Sequence, residues 1–263
     1  MKTSRLALLL AGTLAATLIQ PTPPLAETPL PQDGTDRQIF MLPLVPEAER
    51  ARWAAVGAVN GAGITRKIGC TGTLVAPALV LTAAHCVPGA EGGESFGPRR
   101  VFVAGLDVGG HVAHRVSSAT VQHPAYPVSK GNTRFRYDVA LVTLEEPLPP
   151  DMVVPIGVAE GEDADRAATQ GPLAILGYAK RRPYALSGRF DCARVAGPPG
   201  LIYTDCAVVS GNSGAPLLGK IDGTWQVVGV VAGTLGKLGP ARSLAVPLPD
   251  WARERIAAAQ ESD

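Results

Sequence analysis

Three short stretches carry side-chain types suited to acyl transfer. In Gly211-Asn212-Ser213-Gly214-Ala215-Pro216-Leu217 a serine stands between two glycines, just ahead of an apolar run. Glycine on either side permits a tight turn with positive backbone angles and lets main-chain N–H groups converge on one point. A hydroxyl beside such donors joins a nucleophile to stabilisation of the oxyanion that its attack creates. In Leu81-Thr82-Ala83-Ala84-His85-Cys86 a histidine ends an apolar run and is followed by a cysteine. Imidazole, as a side-chain type, takes and returns protons near neutrality, which suits a general base held within reach of a hydroxyl. In Tyr137-Asp138-Val139-Ala140-Leu141-Val142 a lone carboxylate precedes residues that belong in a core. A carboxylate at that boundary needs a donor, and an imidazole N–H would serve. Taken singly, each stretch also has a plainer reading: a turn, an interior histidine, a strand cap.

These residues lie far apart in the chain, so a framework must bring them together. At 263 residues and 46% apolar composition the chain can bury a substantial core. With 24 prolines and 30 glycines it favours many short strands joined by tight turns. From Trp53 onward, short apolar runs alternate with turn residues: Ala54 to Val59, Ile64 to Val75, Leu79 to Thr82, Val101 to Ala104, Val112 to Gln122 and Val139 to Leu144. Val153 to Val158, Leu173 to Leu176, Leu201 to Val209, Trp225 to Ala232 and Ser243 to Val246 continue the pattern. Such a series predicts an all-β sandwich or barrel. One helix is expected at the end of the chain, where Asp250 favours the helix start, Ala252, Ile256 and Ala259 share a face, and Trp251 anchors it.

The first residues read as an export signal: Lys2 and Arg5 precede an uncharged apolar run, Leu6 to Ile19, with Ala26 as the cleavage candidate. A membrane-tethering helix is the competing reading. Signal removal (residues 1–26) would leave a secreted or periplasmic protein without a membrane anchor. Residues 27–50, rich in Pro, Glu and Asp, read as a linker or pro-segment. Four cysteines in an exported chain imply two disulfides. Three pairings are possible, and proximity favours Cys70 with Cys86 and Cys192 with Cys206. Each would close a loop of about fifteen residues, worth roughly 3 kcal/mol by chain entropy. A zinc site is disfavoured because no C-x-x-C pair occurs.

The stretches Thr82 to Cys86, Asp138 to Leu141 and Gly211 to Pro216 resemble the three signatures of chymotrypsin-fold (trypsin-like) serine proteases, in that family's order of His, Asp, Ser. His123-Pro124-Ala125-Tyr126 resembles a loop that many members carry shortly before the aspartate. The likeness covers roughly residues 53–250. It implies two packed antiparallel β-barrels, about residues 51–147 and 152–247, within a peptidase domain of residues 51–263 that ends in a helix at about 250–260. It further implies that Ser213 attacks a scissile carbonyl, that His85 relays the proton, and that Asp138 fixes the imidazole. The N–H groups of Gly211 and Ser213 would form the oxyanion hole. A lipase-type nucleophile elbow fits poorly, because Ala215 stands where its last glycine belongs and its chain order differs.

The chain also departs from the trypsin pattern. Asn212 stands where trypsin has an aspartate that pairs with a new N-terminal ammonium, and no Ile-Val-Gly-Gly start occurs. With the run Leu201 to Cys206, this resembles the bacterial branch that includes glutamyl (V8-like) endopeptidases. By the same carry-over the specificity pocket comprises Ala207, Val208, Val231, Ala232 and Gly233. Ala207 replaces trypsin's aspartate, and Val231 stands nearest the histidine of glutamyl enzymes. An apolar pocket disfavours a charged P1 side chain, so apolar or small P1 residues are expected.

Other features carry less. The pair His111-x-x-His114 would point to opposite faces at strand spacing, which argues against a metal site. Lys180-Arg181-Arg182, and likewise Arg134 and Arg136, read as solvated loops. A net charge of +1 gives no reason to expect nucleic acid. A monomer acting on polypeptides with no cofactor or metal is expected. The alternative is a protease-like binding module without catalysis.

Overall fold

A computed structural model describes residues 41–61, 63–64, 69–87, 99–235 and 242–261. The expected signal peptide with Leu6 to Ile19 and Ala26, and residues 27–40 of the expected linker, lie outside the described residues.

The first half of the chain folds as a closed antiparallel barrel. Its strands are β1 (Val56–Asn60), β2 (Cys70–Ala76), β3 (Leu79–Thr82), β4 (Val101–Ala104), β5 (Ala113–Gln122) and β6 (Ala140–Leu144), in the order β1-β2-β3-β6-β5-β4. A barrel this narrow is filled by its own side chains. Phe102 occupies space that Gly57 leaves open, since a Cβ there would stand 2.4 Å from the Phe102 ring. β2 and β3 are buried along their whole length. β5 has exposed positions, in keeping with a sheet wetted on one side.

The second half forms a seven-stranded antiparallel sheet from β7 (Leu173–Ala179), β8 (Arg182–Cys192), β9 (Arg194–Val195), β10 (Ile202–Thr204), β11 (Pro216–Ile221), β12 (Thr224–Thr234) and β13 (Ser243–Pro247). Its order is β8-β7-β11-β12-β13-β10-β9. The two edge strands, β8 and β9, are separated in the chain by Ala193 alone. The sheet therefore curls until its ends are joined by the chain itself. The β11–β12 hairpin turns at Asp222 and Gly223, both at positive φ (48° and 82°), as a tight Asp-Gly turn requires. The all-β, double-barrel expectation thus agrees with the structure, the second barrel being a curled sheet.

The terminal helix, labelled α3 after the two shorter ones below, runs Asp250–Glu261 and buries Ala252 and Ile256. The Gln260 amide donates to the Val75 carbonyl at 2.9 Å, so a helix that follows the second sheet is tied to the first barrel.

Several expectations differ from the structure. Val153 to Val158 is not a strand: Pro155 cannot donate to a ladder, and Ile156 N–H instead donates to Leu74 O at 3.0 Å. Lys180 and Arg181 form the exposed turn expected of them, but Arg182 opens β8 and donates to Leu42 O and Ser187 Oγ. α1 (Glu47–Arg50) is a single turn, and α2 (Gly161–Gln170) buries only alanines, Ala164, Ala167 and Ala168. Its apolar face is too small to stand out in the sequence.

Residues 41–50, read as the end of the linker, are packed. Leu42 and Val45 are buried. Val45 N–H donates to Leu186 O at 3.0 Å and Gly188 N–H to Pro43 O at 2.9 Å. β8 is an edge strand, and this segment occupies backbone groups that an edge otherwise leaves open. Arg50 then bonds Asp107 at 2.7 Å on the first barrel.

Candidate active site

His85 sits in a 3-10 turn, Ala84–Cys86, directly after β3. The Cys70–Cys86 disulfide links this turn to the start of β2. The Gln122 amide braces the turn from β5, donating to Ala84 O at 2.8 Å and Val87 O at 3.2 Å. The imidazole thus rides on a backbone held from two sides, while its ring keeps partial access to solvent.

Asp138 follows a 3-10 turn, Gly131–Tyr137, and is only 2% exposed. Its carboxylate holds His85 at two points. Oδ1 accepts the His85 main-chain N–H at 2.9 Å, and Oδ2 lies 2.7 Å from Nδ1. A buried carboxylate needs such partners. With Oδ2 as acceptor, the proton belongs on Nδ1, which leaves Nε2 with a lone pair facing outward.

Around this pair lies an aromatic layer. The His123 ring stacks on Tyr137 at 5.0 Å and meets Trp251 of α3 edge-on at 5.4 Å. Burial holds His123 below the ordinary imidazole pKa. Arg134 lies over the Tyr126 ring at 4.0 Å, so it is not simply a solvated cation.

Ser213 lies in the turn before β11, where Gly211 (φ 106°) and Gly214 (φ 81°) both adopt left-handed backbone. A Cβ on Gly214 would stand 2.2 Å from Thr71 O and Thr82 Oγ1, so only glycine lets the turn approach the first barrel this closely. Thr71 N–H donates to Ser213 O at 2.8 Å, and the Cys86 sulfur lies 3.8 Å from the same oxygen. The turn that carries Ser213 therefore abuts the disulfide beside His85. The Ser213 hydroxyl makes no hydrogen bond among the described residues. Catalytic hydrogen bonds often tighten only when substrate binds.

The peptides around Ser213 are oriented by their neighbours. Lys180 N–H donates to Ser210 O at 2.8 Å. In a trans peptide the following N–H, that of Gly211, then points the opposite way. Thr71 Oγ1 donates to Gly211 O at 2.8 Å and accepts from Tyr178 N–H at 2.9 Å. Among the described residues, neither Gly211 N–H nor Ser213 N–H has an acceptor. Two main-chain donors, one on either side of Asn212, thus remain free, as an oxyanion hole requires.

Asn212 is buried at 1% exposure, and its Oδ1 accepts Val209 N–H at 2.9 Å. Its Nδ2 has no partner among the described residues.

Of the residues expected to line the specificity pocket, Val208, Val231 and Ala232 are buried, while Ala207 and Gly233 are half-buried. Val231 is bonded at both N and O to the Ser213 turn, through Ala215 O at 2.9 Å and Gly214 N at 2.8 Å. Ala207 directly follows the Cys192–Cys206 disulfide. No charged side chain belongs to this set.

Two features touch on metal binding. Cys70, His85 and Cys86 bring ligand-type atoms within 4.8 Å of one another, but both sulfurs are engaged in the disulfide. His111 and His114 do not point to opposite faces. β5 begins at Ala113, so strand alternation does not reach His111, and its Nε2 lies 3.0 Å from His114 Nδ1.

The residues that the sequence reading missed are Thr71, Gln122 and the main chain of Lys180. Each acts through a contact that is distant in sequence and carries no local pattern. No helix among the described residues is long and apolar enough to cross a membrane.

A family model described as the trypsin-like peptidase domain matches residues 70–230. The peroxisomal leader peptide-processing protease of Mus musculus is 28% identical over 205 residues. The match takes in 78% of this chain and 31% of the mouse protein, so the chain spans under a third of that relative's length.

Proposed function

This chain belongs to the family of trypsin-like peptidase domains, and from that premise we propose that it is a serine endopeptidase working through an acyl-enzyme. Ser213 Oγ bonds to the scissile carbonyl carbon while its proton passes to His85 Nε2. The carbonyl oxygen becomes an oxyanion received by the N–H groups of Gly211 and Ser213. As the C–N bond breaks, His85 returns the proton to the leaving amine. Water then repeats the sequence on the acyl-enzyme and frees Ser213. The observation that carries this reading is the two-point hold of Asp138 on His85, which fixes the tautomer that a general base needs.

Labelling by a fluorophosphonate probe tests it. Labelling that vanishes in Ser213→Ala supports the enzyme, and a folded but unlabelled protein points to the binding module instead.

The finer assignments extend the same reading. The apolar set Ala207, Val208, Val231, Ala232 and Gly233 favours small or apolar P1 residues. A peptide-library profile dominated by Arg, Lys or Glu would overturn this. Asn212, whose Oδ1 bonds Val209 N–H, supports a V8-like enzyme that does without the activation ion pair of trypsin. The Cys70–Cys86 and Cys192–Cys206 disulfides support an oxidising location, hence secretion or the periplasm after signal removal. N-terminal sequencing of the exported protein tests that assignment.

A further inference from the structure

Apart from the Ser213 turn, the first barrel carries a second group of chemically capable side chains. His111 lies in the loop leading into β5, and His114 is that strand's second residue. Both are exposed. His111 Nε2 faces His114 Nδ1 at 3.0 Å, with ring centroids 5.0 Å apart and planes at 66°. We propose that His111 and His114 form a bidentate chelate for a late first-row transition-metal cation, Cu2+ above all, with Ni2+ and Zn2+ as weaker occupants.

Imidazole nitrogens bind such ions at about 2.0–2.1 Å, so two of them at right angles on one ion stand about 3.0 Å apart. The two donor atoms already have that separation, and swinging each ring off their common line turns both lone pairs from the hydrogen bond they share onto one ion. Imidazole is also the ligand type that Cu, Ni and Zn share, and the affinity order at a nitrogen site peaks at Cu2+.

The backbone beneath both rings is held in place. His114 pairs with Val103 in the closed barrel. The loop before it is clamped by reciprocal bonds between Asp107 and Gly110, at 2.8 and 3.0 Å, and by Val112 N–H to Ala104 O at 3.1 Å. Asp107 is itself fixed by Arg50. Ordering cost on binding is therefore confined to the two side chains, which favours affinity at a two-ligand site.

Without metal, one facing nitrogen must carry the proton that bridges the pair. On binding, that proton moves through solvent to the outer nitrogen of the same ring. Each facing nitrogen then gives a lone pair to the cation, and water completes the coordination shell. No redox step is involved, and the site does not depend on the chemistry proposed for Ser213.

The test is calorimetric titration of the exported protein, free of any histidine tag, with Cu2+, Ni2+ and Zn2+ salts. We expect one equivalent of Cu2+, bound more tightly than the other two. Its electron paramagnetic resonance spectrum should carry coupling to two nitrogens. His111→Ala and His114→Ala should each weaken Cu2+ binding by about tenfold or more, with unfolding curves unchanged because both side chains are exposed. The proposal is overturned by affinity unchanged in the double variant, by a loss that follows only one of the two histidines, or by no binding below about 1 mM.

Discussion

The Thr71 hydroxyl donates to the Gly211 carbonyl at 2.8 Å, joining two residues 140 positions apart in the chain. The same oxygen accepts Tyr178 N–H at 2.9 Å, and Thr71 N–H donates to Ser213 O. Thr71 is fully buried. One side chain on β2 thus fixes the turn that carries the proposed nucleophile. Thr71→Val keeps the shape but leaves Gly211 C=O and Tyr178 N–H without partners, each at a cost of about 1–3 kcal/mol. The expected outcome is a lower melting temperature and a fall in kcat of about tenfold or more, the oxyanion donors being misaligned. KM should change little, and Thr71→Ser should restore most of the rate. A Thr71→Val enzyme with unaltered kcat would show that the turn holds its own shape.

A second expectation concerns Asp138. In Asp138→Asn the amide oxygen can still accept the His85 main-chain N–H, so the fold should survive. The amide nitrogen then faces His85 Nδ1 and demands a lone pair there, which moves the ring proton to Nε2. That tautomer has no lone pair with which to take the serine proton. A loss of about 10⁴ in kcat is the expected size for this reversal. Steady-state kinetics beside far-ultraviolet circular dichroism separates it from unfolding, and a loss under tenfold would remove Asp138 from the mechanism.

How much of this the sequence disclosed depends on the range of the interaction. The Ser213 turn, the His85 stretch and the Asp-Gly hairpin at Asp222 and Gly223 are written in consecutive residues, because turn chemistry is local. The disulfides followed from proximity, and both pairs formed. Thr71 and Gln122 gave no signal, since a threonine or glutamine in a strand looks the same whether it braces a distant turn or not. α2 was missed because alanines make a faint apolar face, and β8 because Arg182, Arg189 and Asp191 interrupt its apolar residues. The packing of residues 41–50 answers to an open edge on β8, which no pattern within those residues reveals. His111 and His114 were separated by applying strand alternation two residues too early, since β5 begins at Ala113.

A third expectation is a pH dependence of stability. His123 is packed between Tyr137 and Trp251, and burial holds its pKa below the ordinary imidazole value of 6.5. As pH falls below that value, the unfolded chain takes up a proton before the folded one does. Stability contributed by neutral His123 is therefore present above pH 6.5 and is lost as pH falls through the folded pKa. In His123→Asn the side-chain oxygen can still accept Ala125 N–H, as an Asx turn does. Urea unfolding at mildly acidic and mildly alkaline pH should show a smaller drop for this variant than for the native chain. Asp107 does not confuse the comparison. Although burial works against its ionisation, the Arg50 hydrogen bond, the Val108 N–H bond and the Arg50 charge together outweigh it and keep the carboxyl below its ordinary range, well under the window tested. Equal drops in the two proteins would mean that His123 is not the acid-sensitive group.

The last expectation separates this chain from enzymes switched on by an N-terminal ammonium. There, an aspartate before the nucleophile gains a cationic partner on activation. Here Asn212 is buried, its Oδ1 accepts Val209 N–H, and Gly177 closes over its Nδ2, where a Cβ would stand 3.1 Å away. Asn212→Asp is nearly isosteric but places a negative charge at a position 1% exposed, where the replaced Nδ2 has no hydrogen-bond partner among the described residues. Burying an unpaired carboxylate costs several kcal/mol unless it binds a proton. The N212D protein should therefore be markedly less stable than the native chain at pH 8 and should recover part of the deficit at pH 5, where the buried carboxyl can be neutral. Its activity at pH 8 should be low, because the displaced amide sits between Gly211 and Ser213. If the variant matched the native chain in stability at pH 8, some cation would have to reach the site, and an activation ion pair would return as the better account of how this enzyme is controlled.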